Sequence, residues 1–162
     1  MNALVLYRSF HGNTKLVAEA IAQRLGELGW KSEVRDLRKK LPDLALTRLI
    51  FLGAPTRMKR AGGKPLRVIR GLKKKGFTDK PLAILDTCSV LPTTPEESAR
   101  MGEWVIPGAA GIMQRIAREQ GLNVLTETLR CEVEGIKGPL AKDALEKAKA
   151  FAGSVAATLV SR

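Results

Sequence analysis

Two cysteines, one histidine and 4% aromatic residues are all that this 162-residue chain carries of thiol, imidazole and aromatic side chains. Cys88 and Cys131 are too few for a disulfide framework and have no partner at metal-ligand spacing, so two buried reduced thiols and no metal are expected. With so few aromatic residues and no RNA- or DNA-recognition motif, a nucleic-acid-binding role rests on charge alone. No apolar run reaches the eighteen or so residues of a membrane span, and Met1-Asn2-Ala3 does not open a signal peptide, so a soluble, cytoplasmic protein is expected. Acidic residues are also scarce. Sixteen Asp and Glu against 28 Lys and Arg leave a net charge of +12, which calls for an anionic ligand, partner or surface.

What the chain does have is enough apolar residue for one core. At 44% apolar content and 162 residues, one domain over 1–162 is expected. Short runs rich in branched residues alternate with segments of helical period, the βα alternation of a parallel sheet. The expected strands are Ala3 to Tyr7, Ser32 to Asp36, Leu49 to Gly53, Pro81 to Asp86 and Leu122 to Thr128. Leu16, Val17, Ala20, Ile21, Leu25 and Leu28 recur at helical spacing, with Gly29 placed as a C-terminal cap. Further helices are expected around Leu66 to Leu72, Ala109 to Glu119 and Lys142 to Leu159. The irregular stretch Ser89 to Gly108 is longer than ordinary loops and is expected to hold a short helix near Glu96 to Trp104.

Ser9-Phe10-His11-Gly12-Asn13-Thr14 lies between the first strand and the first helix. In a doubly wound sheet that turn sits at the carboxyl edge, where ligands bind. A helix start offers unpaired N–H groups and positive dipole character to a phosphate. Gly12 permits close approach or positive φ, and Ser9, Asn13 and Thr14 add donors. A plain helix cap at Asn13 needs only one such residue. No G-x-x-x-x-G-K loop and no G-x-G-x-x-G turn is present, which removes the usual triphosphate and dinucleotide sites. A cysteine phosphatase would need an arginine cradling its thiolate. Six residues past Cys88 stands Thr94, and six past Cys131 stands Lys137.

The SFHGNT stretch resembles the phosphate loop of flavodoxins, S/T-x-T-G-N-T, with His11 in place of the second hydroxyl residue. Gly53-Ala54-Pro55-Thr56 looks like the G-x-P-T after the third flavodoxin strand, and Asp86-Thr87-Cys88 closes the fourth. The resemblance implies a doubly wound, five-stranded parallel sheet of order 2-1-3-4-5, helices on both faces, and one flavin mononucleotide (FMN). It places Ser9, His11, Gly12, Asn13 and Thr14 on the phosphate, with Phe10 contributing only backbone. Pro55, Thr56, Arg57 and Met58 would line one side of the ring, and Thr87, Cys88 and Ser89 the other. Many flavodoxins stack an aromatic residue on each flavin face. Here Met58 is the only large side chain of the second loop, and a thioether can partly substitute for a stacking ring. Trp104 either folds back over the ring or anchors the long loop.

The resemblance implies an electron carrier or a small FMN-dependent reductase of the quinone-reductase kind, the chemistry residing in the cofactor and no catalytic triad being needed. The other readings are a flavin-free module of the same fold and a basic nucleic-acid-binding protein. Ten cations and one acid between Arg57 and Lys80 put +9 of the net charge beside the flavin loop. The expected partner is an acidic redox protein, or a small acceptor such as a quinone, and the reduced flavin should be easier to form than among acidic surroundings.

Overall fold

The computed structural model describes residues 1–161. Five strands form one parallel sheet: β1 (Asn2–Tyr7), β2 (Lys31–Asp36), β3 (Thr47–Pro55), β4 (Leu82–Ser89) and β5 (Val124–Val133), in the order β2-β1-β3-β4-β5. Five helices connect or flank them: α1 (Asn13–Glu27), α2 (Gly63–Lys74), α3 (Pro95–Val105), α4 (Gly108–Glu119) and α5 (Ala144–Val160). The order reverses between β1 and β3, so the loops leaving those strands diverge and open a crevice at their carboxyl ends.

Central strands are apolar on both faces, because helices cover both. Along β1 and β3, alternate residues divide between two cores. Val5, Phe51 and Leu85 pack with Val17, Ile21 and Leu25 of α1 and with the alanines of α5. Leu4, Leu6, Ile50, Leu52 and Ile84 pack with Ile69 and Leu72 of α2 and with Ala109, Ala110 and Met113 of α4. In α1 the apolar stripe is narrower than its spacing implies: Val17, Ala20, Ile21 and Leu25 are buried, while Leu16 and Leu28 face solvent. Gly29, at φ 81, ends this helix. Its N–H reaches the Gly26 carbonyl and that of Trp30 reaches Leu25, the paired bonds of a Schellman cap.

Three strand ends run beyond the sequence expectation. β4 continues past Asp86 to Ser89, because Thr87, Cys88 and Ser89 pair with Cys131, Glu132 and Val133 of β5. β5 accordingly extends to Val133 rather than Thr128. It is an edge strand whose charged residues interrupt the apolar pattern. β3 runs to Pro55, so the turn after it begins at Thr56. The long connection after β4 does hold a helix, α3, which Thr94 caps by accepting the Glu97 N–H at 3.2 Å.

Candidate functional site

After Tyr7 the chain stays in the sheet for one more bond, from Arg8 N–H to the Gly53 carbonyl, and then turns. Ser9 Oγ accepts the Gly12 N–H at 3.0 Å, which closes the turn. Gly12, not Asn13, occupies the N-cap position of α1, and its φ of 89 is a conformation suited to glycine. A Cβ there would meet nothing within 4 Å, so the space above it is open. No side chain caps the helix and no carboxylate lies in its first turn. The first-turn N–H groups and the positive end of the dipole are therefore left for something else. Asn13 instead donates its amide to the Lys137 carbonyl at 3.1 Å, drawing the loop after β5 over the turn. Gly138 is required there, because a Cβ on it would come within 2.7 Å of Asn13 Oδ1. Thr14 is buried, and its hydroxyl lies 2.8 Å from that of Thr87 on β4. Two hydroxyls sharing one bond leave one proton uncommitted.

The second loop is a tight hairpin. Arg57 and Arg60 exchange both backbone hydrogen bonds, at 2.9 and 2.8 Å, with Met58 and Lys59 between them at φ 46 and 67. Two side-chain-bearing residues in the left-handed region are strained, and such strain gathers at functional positions. Met58 is 81% exposed. Lys59 ties the hairpin to α3: its ammonium is 3.0 Å from Glu103 and 4.5 Å from the centre of the Trp104 ring. Phe10, expected to contribute only backbone, instead lies beneath two guanidinium groups, Arg8 at 4.1 Å and Arg57 at 3.9 Å from its centroid.

Beneath the loops sits a polar network that the motifs did not reveal. Asp86 is fully buried and held by a two-pronged ion pair, Arg130 Nε to Oδ1 and Nη2 to Oδ2, each at 2.9 Å. Its Oδ2 also accepts from Thr56 Oγ1 at 2.8 Å and from the Ala110 N–H at 3.1 Å. Thr56 Oγ1 in turn accepts the Ala109 N–H at 2.7 Å. One carboxylate thus pins the second loop, β5 and the start of α4. Gly108 is needed for the fit, since a Cβ would approach Arg130 Nη2 to 2.2 Å. The hydrogen bond to Asp86 holds the Arg130 guanidinium's pKa above its ordinary value despite burial, which acts to lower it. In the sequence, Arg130 reads only as a charge interrupting a strand.

These loops enclose a cavity of about 410 Å³. Ser9, Phe10, His11, Asn13, Thr14, Pro55, Thr56, Arg57, Met58, Thr87, Cys88 and Ser89 line it, so these expected site residues come together, while Gly12 shapes the turn without lining the cavity. Trp104, Val133, Gly135 and Ile136 complete it. Trp104 is half exposed on this rim and does not act as a buried anchor. The loop carrying Gly135 and Ile136 gave no sequence signal beyond Gly138-Pro139 as a break. The lining combines hydroxyls, an amide and the start of α1 with the apolar side chains of Met58, Trp104 and Ile136. That donor set suits a phosphate, and the apolar side chains suit a flat ring. Cys88 and Cys131 are both buried and free. Burial pushes each thiol up to about 12. Thr87, not Cys88, is the partner of Cys131 in register, so the two thiols point to opposite faces of the sheet.

The model of the flavodoxin domain matches residues 4–121. No curated protein matches the sequence. A flavodoxin from the domain Archaea superposes with a TM-score of 0.73 at 22% identity, covering 98% of each chain. Oxidised flavodoxin 1 of Bacillus cereus gives 0.70 at 21% identity over 94% of this chain and 95% of the other. A flavodoxin, WrbA-like protein from Agrobacterium tumefaciens gives 0.68 at 18% identity over 97% and 96%. At these identities the likeness establishes the fold, while the domain match spans well over half the chain. The chain belongs to the flavodoxin domain family, whose cofactor is flavin mononucleotide.

Proposed function

We propose that the protein holds one FMN in the 410 Å³ cavity and works as an electron-transfer protein. The observation that carries this is the convergence of three loops on one crevice. The uncapped start of α1 and the side chains of Met58 and Trp104 border the same cavity. When bound, FMN supplies one- and two-electron chemistry. Ser9, Asn13, Thr14 and the α1 N–H groups hold the phosphate, and His11, exposed on the same turn, adds a donor. Pro55, Thr56, Arg57 and Met58 border the ring on one side and Thr87, Cys88 and Ser89 on the other. The Asp86–Arg130 pair spends the Thr56 hydroxyl on the scaffold, so Thr56 positions its loop and leaves the polar contacts to backbone groups. A second reading, a small-molecule reductase, is favoured by a further cavity that shares a wall with this one.

The test is a pair of titrations. Thr14→Ala should weaken FMN by about 1–3 kcal/mol, the range for a hydrogen bond to a charged group, and leave riboflavin affinity unchanged. Equal losses for both ligands would show that the turn does not hold the phosphate. Met58→Ala should shift the visible flavin spectrum and lower affinity for FMN and riboflavin alike, since its thioether faces the ring. Circular dichroism should report an intact fold. A spectrum identical to the parent's would remove Met58 from the site.

A further inference from the structure

We propose that the larger cavity beside the flavin site is a second ligand site, for a small organic polyanion with an apolar body and two or more phosphate, carboxylate or sulfonate groups. This deepens the reductase reading and rests on the assignment of the neighbouring cavity to flavin. The second cavity measures about 580 Å³ and lies between the hairpin after β3 and the start of α2. Its floor is apolar, made by Pro55 with the buried Ala61 and Pro65. Its rim carries Arg8, Arg57, Arg60 and Lys64, and no carboxylate lines it.

Cations on a helix face are usually just solvated. Several observations separate these four from that case. Among the described residues none of the four is within ion-pair distance of a carboxylate. Two of them are also fixed in place. Arg8 Nη1 donates to the Ser9 carbonyl at 2.8 Å and its guanidinium lies over Phe10, as does that of Arg57. The backbone exchange between Arg57 and Arg60 sets both at the mouth. Four cations held around one concavity repel one another, and a bound polyanion relieves that repulsion. The apolar floor selects for more than inorganic phosphate, because burying an apolar body there adds to the charge term. By contrast, Lys73, Lys74 and Lys75 at the far end of α2 are exposed, and none of those three lines this cavity.

Phe10, Pro55, Arg57 and Met58 line both cavities. A ligand in the second therefore rests against the wall that borders the flavin ring. The geometry places an anionic small molecule beside the cofactor, with Phe10, Pro55, Arg57 and Met58 as the partition.

Calorimetry with naphthalene-1,5-disulfonate as probe tests this, on the protein both free and saturated with FMN. The parent should bind one equivalent, more weakly as salt rises. Arg60→Gln/Lys64→Gln removes two rim charges that do not touch the flavin cavity. It should weaken the probe by on the order of tenfold or more, and FMN affinity should stay at the parent value. Lys73→Gln/Lys74→Gln makes the same charge change away from the cavity and should leave the probe's affinity within about twofold, as screening of exposed charges implies. Naphthalene-1,5-dimethanol, of like shape and no charge, should bind far more weakly. Equal losses in the two double variants, or no one-to-one binding by the parent, would overturn the proposal. Probe binding that follows Arg60 and Lys64 in a protein that takes up no FMN would keep the second site and overturn the flavin assignment.

Discussion

Replacing Arg130 by Met is expected to destabilise the protein by about 3–5 kcal/mol, the cost of leaving a buried charge without its partner. Asp86 is fully buried, and two of its hydrogen bonds come from this guanidinium. The remaining donors, Thr56 Oγ1 and the Ala110 N–H, are neutral and do not offset a full negative charge. Arg130→Met/Asp86→Asn should recover part of the loss, because the uncompensated charge goes with the carboxylate. Gly108→Ala should show a smaller version of the same defect, since its Cβ would enter the guanidinium's place at 2.2 Å and its φ is +65. Denaturant unfolding reads all three. A cost below about 1 kcal/mol for Arg130→Met, a value typical of exposed pairs, would reduce the network to a surface contact.

Reversing Lys73, Lys74 and Lys75 to Glu is expected to slow oxidation of the FMN-loaded, reduced protein by ferricyanide on the order of tenfold or more at low salt. The parent's rate should fall as salt rises, and the variant's should fall less steeply. These lysines are exposed and belong to a segment where ten cations face Asp79 alone. Of the ten, Lys59 is the one with a carboxylate partner among the described residues. Each exposed charge is screened within about 8–10 Å at 0.1–0.15 M salt and within about 30 Å at 0.01 M, so the effect falls on the low-salt encounter rate and FMN affinity should not move. The same reasoning predicts that association with an acidic redox protein weakens as salt rises. It also raises the potential for adding the second electron relative to an acidic flavodoxin, a small effect that redox titration of the triple variant would measure. Rates independent of both salt and these lysines would leave the patch as a solubility feature.

Much of this architecture is legible in the sequence because its signals are local. Ala3 to Tyr7 is apolar without a break, so it reads as a central strand, and Ser9 to Thr14 follows it with small donors around a glycine. Gly29 stands where the helix ends, and the left-handed backbone there is what it supplies. The missed features depend on residues distant in sequence. Arg130 acquires meaning only when β5 places it against Asp86, forty-four residues earlier. The loop at Gly135 and Ile136 reaches the cavity because Asn13 holds the Lys137 carbonyl. Trp104 is drawn to the rim by Lys59 and not by any apolar periodicity. Strand ends at Ser89 and Val133 were hidden because polar and charged residues pair there as readily as apolar ones. The segments that carry a local motif, 9–14, 55–58 and 87–89, were readable, and the residues brought in by tertiary contact alone were not.

The two thiols have a consequence for handling and for habitat. With burial pushing each up to about 12, both are held as thiols at neutral pH. Oxidants and alkylating reagents attack the thiolate, and both sulfurs are buried besides. Pointing to opposite faces of the sheet, the pair does not close into an intramolecular bridge either. The fold accordingly needs no reductant to stay intact, and its cysteines set no requirement on the redox poise of the compartment in which it works.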